Sequence, residues 1–265
     1  LHLYDELCKV IKPTPAKYVP ITSGEEWDQC MDKICQACAG DGVKPIIHLE
    51  LHGDNTGIGF VNGDIRDHRT LCAQFSKINF ACGCNMLLTL GVCEGLNILK
   101  GIQISVPMPY IGAIGSFEEL WNVDIELRFT EFYKELLSSH DMNKAYSKLL
   151  DAESEYHEIY RFFPIDELFY RTYVRYLKKQ CSKDALKERA HSSIINDGRP
   201  VKNRHDRREM ERKFIKIEKE TRMKEYKDFV NTFFAVKQDP SNLKRFEVPV
   251  TFTELRQKFG NDIEE

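Results

Sequence analysis

Pro45-Ile46-Ile47-His48-Leu49-Glu50-Leu51-His52-Gly53 and Asn85-Met86-Leu87-Leu88-Thr89-Leu90-Gly91-Val92-Cys93-Glu94-Gly95 are the two stretches that decide the fold. Each is a short, nearly continuous apolar run, as expected of a strand buried on both faces. Each also closes on a reactive side chain with glycine directly or almost directly after it: His52 before Gly53, Cys93 before Glu94-Gly95. Ligands and reacting groups in parallel α/β sheets gather at the carboxyl ends of strands. The reading therefore brings an imidazole and a thiol, 41 residues apart in the chain, to one edge of one sheet.

Working outward, residues 1–16 read as a short element and an extended linker ending in Lys12-Pro13-Thr14-Pro15. Lys17–Thr22 suits an edge strand. Ser23-Gly24-Glu25-Glu26 has the spacing of a capping box, and Trp27, Met31, Ile34 and Cys38 follow at helical intervals until Gly40-Asp41-Gly42. Val43–Leu51 is the first strong strand, 53–57 a loop and Ile58–Val61 a short strand. Asp67–Cys82 is an amphipathic helix and Asn85–Val92 the second strong strand. A third strand fits Pro109–Ile114. Ser116-Phe117-Glu118-Glu119 then opens a helix carrying Leu120, Val123, Leu127, Phe132 and Leu136. Strand alternating with helix predicts an α/β fold with a mainly parallel sheet flanked by helices.

After about residue 152 helical periodicity takes over, so 17–152 and 153–265 are expected to be an α/β domain and a mostly helical C-terminal region. Asp166–Cys181 is a helix, Ser192–Asn203 a loop around Asn196-Asp197-Gly198-Arg199-Pro200, and Asp206–Val236 one long charged helix. Thr251-Phe252-Thr253-Glu254 caps a last helix that stops at Gly260. The basic stretch from Arg199 to Lys227 admits nucleic-acid contact, but i,i+4 pairs such as Glu220–Lys224 fit a solvated helix better. Phe233, Phe234 and Val236 suggest docking on a partner or on the α/β domain.

Composition narrows the function. Of 265 residues, 42% are hydrophobic, enough for a core, and a net charge of -3 gives no global pull toward nucleic acid or anionic membrane. No apolar run approaches the roughly 20 residues that span a bilayer. Nine cysteines are not a paired disulfide framework, so a reducing cytoplasm is expected. Cys35 and Cys38, Cys82 and Cys84, with His48 and His52, raise structural zinc. The helical look of 30–38 and the lack of a second CxxC speak against it, and no metal or cofactor is expected.

A cysteine hydrolase needs a thiolate, an imidazole to manage its proton and donors for the oxyanion. Cys93 fits the nucleophile and His52 the base, later the acid for the leaving amine. The backbone N–H groups of Gly53 and Cys93 fit the oxyanion hole, glycine allowing close approach. Asp54, Asn55 and Glu94 flank the pair and are candidate substrate contacts, with plain turn roles as the rival reading.

His48-Leu49-Glu50-Leu51-His52-Gly53-Asp54-Asn55-Thr56-Gly57-Ile58-Gly59-Phe60 resembles the strand, His-Gly and loop of caspase-like CHAT domains. Leu88-Thr89-Leu90-Gly91-Val92-Cys93-Glu94-Gly95 is similar to their nucleophile strand. Ile111–Ser116 resembles their last core strand, Glu119-Leu120-Trp121-Asn122-Val123-Asp124 their Trp-x-x-Asp segment, and Phe129–Leu137 and Ala145–Leu149 the two helices after it. The matches run in order over residues 17–150. Gly91 and Val92 depart from the alanine common immediately before the cysteine, and the pocket loops are not recognisable.

The resemblance implies a caspase-like fold, a thiol endopeptidase acting on a protein substrate through His52 and Cys93, and activation by a sensor or partner protein in bacterial defence or regulated cell death. It also admits relatives without the dyad. The alternative is thus a catalytically inactive module that binds a protein partner or nucleic acid.

Overall fold

A computed structural model describes residues 2–12, 16–152, 159–180, 182–196, 204–249 and 251–259. The chain divides into two compact units, Leu1–Ile102 with Pro109–Pro164, and Gln103–Met108 with Ile165–Glu265. The first unit extends past the expected boundary near residue 152 because a late strand returns to the sheet.

In the first unit α1 spans His2–Val10 and α2 Gly24–Asp41. Three short strands follow the first sheet strand, giving β1 (Ile46–Leu49), β2 (His52–Gly53), β3 (Gly57–Gly59) and β4 (Ile65–Asp67). Then come α3 (His68–Ala81), β5 (Leu87–Leu90), a 3₁₀ segment (Gly95–Gly101), β6 (Gly112–Gly115), α4 (Asn122–Ser139), α5 (Met142–Asp151) and β7 (Arg161–Pro164). The main sheet has the order β1-β5-β6-β7. Its first three strands are parallel and β7 is antiparallel to β6, with Ile114 opposite Phe162. A second, antiparallel sheet has the order β2-β3-β4.

Helices cover both faces of the main sheet. On one, Leu3 and Leu7 of α1, Leu87, Ile114, Phe129 and Phe132 of α4, and Leu149 of α5 form a single buried cluster. Residues 1–16 are therefore not merely a linker, since α1 contributes to this core; residues 13–15 lie outside the described residues. On the other face Leu71 of α3 lines one small cavity with Leu49 and Leu90.

Local chemistry explains the helix ends. Ser23 Oγ accepts the Glu26 N–H at 3.2 Å, and the Glu26 carboxylate reaches back to the Thr22 N–H at 2.7 Å. Gly42 ends α2 in the left-handed region with φ 68°. Asp67 caps α3 through the Arg69 and Thr70 N–H groups at 2.8 and 2.9 Å.

Several expectations need correction. Lys17–Thr22 is not a strand: Tyr18 and Val19 are exposed and Pro20 offers no N–H to a ladder. The strand read as Val43–Leu51 is confined to Ile46–Leu49. Ser116 does not start a helix; its Oγ accepts the Glu118 N–H at 2.9 Å and closes a turn. The helix begins at Asn122, with Val123 and Leu127 outward and Asp124, Ile125, Arg128, Phe129, Phe132 and Tyr133 inward. Its buried face carries a charged pair, so an apolar count rotates it wrongly.

In the second unit α6 spans Ile165–Gln180, α7 Lys183–Asn196, α8 Arg204–Phe233, α9 Asn242–Arg245 and α10 Phe252–Phe259. Residues 192–196, expected in a loop, complete α7, and 197–203 lie outside the described residues. Thr251 and Glu254 make the reciprocal capping box, at 3.1 and 3.2 Å; Gly260 lies outside the described residues. Phe233 and Phe234 fill this unit's own core, each 5.1 Å from the Phe169 ring. They are not the free docking face expected. Arg207–Glu211 and Lys213–Glu209 pair one turn apart on α8, whereas the Glu220 and Lys224 side chains lie outside the described residues. Among the described residues no helix is long and apolar enough to cross a membrane.

Candidate active site

The β1–β5 ladder sets the geometry. Its four pairs, from Ile46 with Leu87 to Leu49 with Leu90, share an offset of 41 residues. The Gly91 N–H donates to Leu49 O at 2.8 Å and continues the ladder beyond the last pair. The same offset sets Glu50 beside Gly91, the last point at which the two segments run in step. Neighbouring strands run about 4.8 Å apart.

The two segments stay together where the regular strands end. A Cβ on Gly91 would lie 3.3 Å from both Glu50 Cγ and His48 Nε2. A Cβ on Gly53 would lie 3.0 Å from Cys93 O and would overlap Val92 Cγ1. Glycine at 53 is therefore a requirement of close approach.

His52 does not close β1, however. The chain bends after Leu49, and His52 opens β2, pairing with Gly59. Its side chain is exposed. Cys93 lies three residues past β5, in a turn, and is half-buried. Among the described residues no hydrogen bond joins His52 to Cys93.

Instead the Cys93 sulfur accepts the Leu120 N–H at 3.4 Å. Leu120 precedes Trp121, the N-cap of α4. Glu94 follows in the left-handed region, φ 53°, a conformation that a non-glycine residue holds only under the constraint of its surroundings. Here those are the Glu94 N–H to Glu118 O bond at 3.0 Å and the Asn97 amide donating to the Glu94 carboxylate at 2.9 Å. Glu94 thus acts as a turn-former.

The two N–H groups expected to receive the oxyanion are not spent on the β2–β3 pairing. Cys93 N–H makes no hydrogen bond among the described residues. Asp54 N–H donates to Gly57 O at 3.1 Å, and antiparallel pairs alternate, so Gly53 sits at a non-bonded position with its N–H turned away from β3. Asp54 is a turn residue: its Oδ1 accepts the Thr56 N–H at 2.7 Å, the Thr56 hydroxyl at 2.6 Å and the Gly57 N–H at 3.2 Å. The bonds from Thr56 hold its carboxyl below the usual range. Asn55 is exposed at the tip of this turn.

No protein-family model matches the chain, and no curated protein matches it. The site is accordingly interpreted from its own atoms.

Beneath the strand ends lies a polar cluster that the apolar pattern concealed. His48 Nδ1 is 2.9 Å from Thr89 Oγ1 and 3.1 Å from Tyr133 OH, and those two oxygens are 2.7 Å apart. Its Nε2 lies 3.5 Å from the Glu50 carboxylate, which this contact holds below the usual range. His48 is therefore committed to the core rather than to a metal. Among the described residues no three His, Cys, Asp or Glu groups are arranged to hold an ion. Cys38 is buried beside Cys82, and burial pushes its thiol up to about 11.

The Trp-x-x-Asp segment is also structural in part. Asp124 accepts from Arg128 Nε at 2.7 Å, and Arg128 Nη1 donates to Leu149 O and Leu150 O at 2.9 and 3.0 Å. This ties α4 to the end of α5.

Sequence reasoning missed His68. It is the first residue of α3 and lines a cleft with Cys93, Gly53 and Asp54. It is 8% exposed and its ring faces the Asn55 backbone. The only sequence signal was its place directly after the N-cap Asp67.

Proposed function

We propose that the chain is a caspase-like cysteine endopeptidase with Cys93 as nucleophile and His52 as its base. The observation that supports this is the close approach of the two segments, where a Cβ on Gly53, next to His52, would lie 3.0 Å from Cys93 O. Helices on both faces of a mostly parallel sheet suit the same reading.

In this mechanism His52 takes the thiol proton and the Cys93 sulfur attacks the scissile carbonyl carbon. The carbonyl electron pair moves to oxygen, which the Gly53 and Cys93 N–H groups receive. The tetrahedral species collapses, the C–N bond breaks, and His52 returns the proton to the leaving amine. Water, deprotonated by His52, then attacks the thioester, and the thiolate leaves as the acid is released. The substrate is a protein, the compartment the cytoplasm, and a sensor or partner protein supplies the trigger.

The full chain with candidate protein substrates, read by capture of new N-termini, tests this. Cleavage lost in Cys93→Ala and His52→Ala supports it; cleavage surviving in Cys93→Ala contradicts it. The second reading, a non-catalytic module that binds a protein partner or nucleic acid, draws on the missing hydrogen bond between His52 and Cys93. It predicts a Cys93 that resists alkylation near neutral pH.

A further inference from the structure

The Cys35-x-x-Cys38 and Cys82-x-Cys84 motifs are not arranged to hold a metal ion among the described residues, yet the fold brings one cysteine of each together. In the first unit α2 packs along α3. Early in α2, Trp27 Nε1 donates to Gln74 Oε1 at 2.7 Å, Gln74 Nε2 donates to Asp28 at 2.6 Å, and the Trp27 and Phe75 rings lie 6.0 Å apart. From there both helices run in the same direction to their C-terminal ends, where the Cys38 and Cys82 thiols come within hydrogen-bonding reach of each other. Cys38 is 2% exposed and Cys82 6%, and both are reduced. Local bonds fix the two ends. The Gly42 N–H donates to Ala37 O, the Cys82 N–H donates to Ile78 O at 3.0 Å, and the Cys82 sulfur rests 3.3 Å from Asn79 O.

We propose that Cys38 and Cys82 are a disulfide-forming pair, a modification site at which hydrogen peroxide links the end of α2 to the end of α3. One sulfur, as thiolate, attacks a peroxide oxygen; the O–O bond breaks, giving a sulfenic acid and hydroxide. The second sulfur attacks the sulfenic sulfur, the S–S bond forms, the S–O bond breaks and the oxygen leaves as water. Two thiols are oxidised and one peroxide is reduced to two waters. Cys35 is a poorer partner for Cys38. Residues three apart on a helix hold their Cβ atoms about 5–6 Å apart, beyond the roughly 3.5–4.5 Å that a disulfide spans. Burial selects the oxidant, since peroxide is small enough to enter where a bulky disulfide reagent is not. Burial also pushes the Cys38 thiol up to about 11, so the bond forms slowly near neutrality and faster as the pH rises. No residue of the Cys93 site takes part, and the proposal is independent of the peptidase reading.

The test treats the full chain with hydrogen peroxide, blocks the remaining thiols with N-ethylmaleimide and maps linked peptides by mass spectrometry without reductant. The Cys38–Cys82 peptide is expected to be the dominant intramolecular link. The bond closes a long loop, so the melting temperature should rise by about 5–10 °C and return on reduction with dithiothreitol. Cys35→Ala should keep both the link and the rise, whereas Cys82→Ala should lose both. In urea the link should give way to a mixture of pairings. Recovery of Cys38 and Cys82 as blocked thiols after the half-buried cysteines have been oxidised overturns the proposal. So does a dominant Cys35–Cys38 link, or the same mixture of pairings with and without urea.

Discussion

His52 and Cys93 are separated by 41 residues, and so is each pair in the parallel ladder between β1 and β5. The equality ends with the ladder: the chain bends after Leu49 and His52 joins a second sheet, while Cys93 sits in the turn after β5. Gly53 maintains the proximity past the strand ends, where its Cα hydrogens occupy space beside Val92 and Cys93 O that a methyl group could not.

Gly53→Ala is therefore expected to destabilise the protein by about 1–3 kcal/mol, the usual result of forcing a group into packed surroundings. Gly59→Ala, on the facing strand with nothing within 4 Å of its Cβ position, should stay within about 0.5 kcal/mol of the parent. Chemical denaturation of the two variants checks the contrast. Equal losses would mean that the Gly53 approach is not tight.

The Asp124–Arg128 pair, with side chains 1% and 3% exposed, makes a second prediction. Removing one partner leaves a buried charge, so Arg128→Leu should cost about 3–5 kcal/mol. Adding Asp124→Leu to Arg128→Leu should recover part of that loss, since no charge then remains buried. A double variant less stable than Arg128→Leu would show that the pair is not the source of the cost.

Thr89 stands where three polar groups meet, bonded to Tyr133, His48 and Ile47 O. Thr89→Val keeps the shape and strands two buried partners, with an expected cost of about 1–3 kcal/mol. Thr89→Val with Tyr133→Phe should cost less than the sum of the single changes, as measured by a double-mutant cycle.

His68 sets a pH dependence. Burial favours its neutral form, so its folded pKa lies below the unfolded value of 6.5. The unfolded chain then binds more protons below that value, and stability falls with acidification from about pH 6.5 downward. Above that range the contribution is complete. His68→Gln should flatten the decline in melting temperature between about pH 6.5 and 5. Asp54 and Asp67, whose carboxyls are held low by hydrogen bonds, lose their contribution in a separate window, below the ordinary carboxylate range. An identical slope in parent and variant would contradict the burial argument.

Much of this arrangement was legible in the residues. The apolar runs through Ile46–Leu49 and Leu87–Leu90 marked the central strands, and Asp67 and Cys82 bracketed α3 as expected. What escaped was decided by tertiary pairing. The two-residue β2 exists only because β3 lies beside it. Arg161-Phe162-Phe163-Pro164 is too short to announce a strand until β6 offers an edge. The buried face of α4 includes Asp124 and Arg128, which composition assigns to solvent. Cys93 lies past the end of β5 as expected, whereas His52 opens β2 instead of closing β1, and Asp54 and Glu94 are turn-formers. His68 was missed because its burial depends on packing that no local pattern encodes.

The central claim is that His52 acts on Cys93, and the most direct measurement is the pH profile of Cys93 alkylation by iodoacetamide in the parent and in His52→Ala. Peptide mass spectrometry separates Cys93 from the other eight cysteines. A working dyad predicts rapid Cys93 modification at pH 6–7 in the parent, slowed about tenfold or more in His52→Ala, since a neighbouring imidazolium favours the thiolate. Superimposable profiles for the two proteins would contradict the dyad.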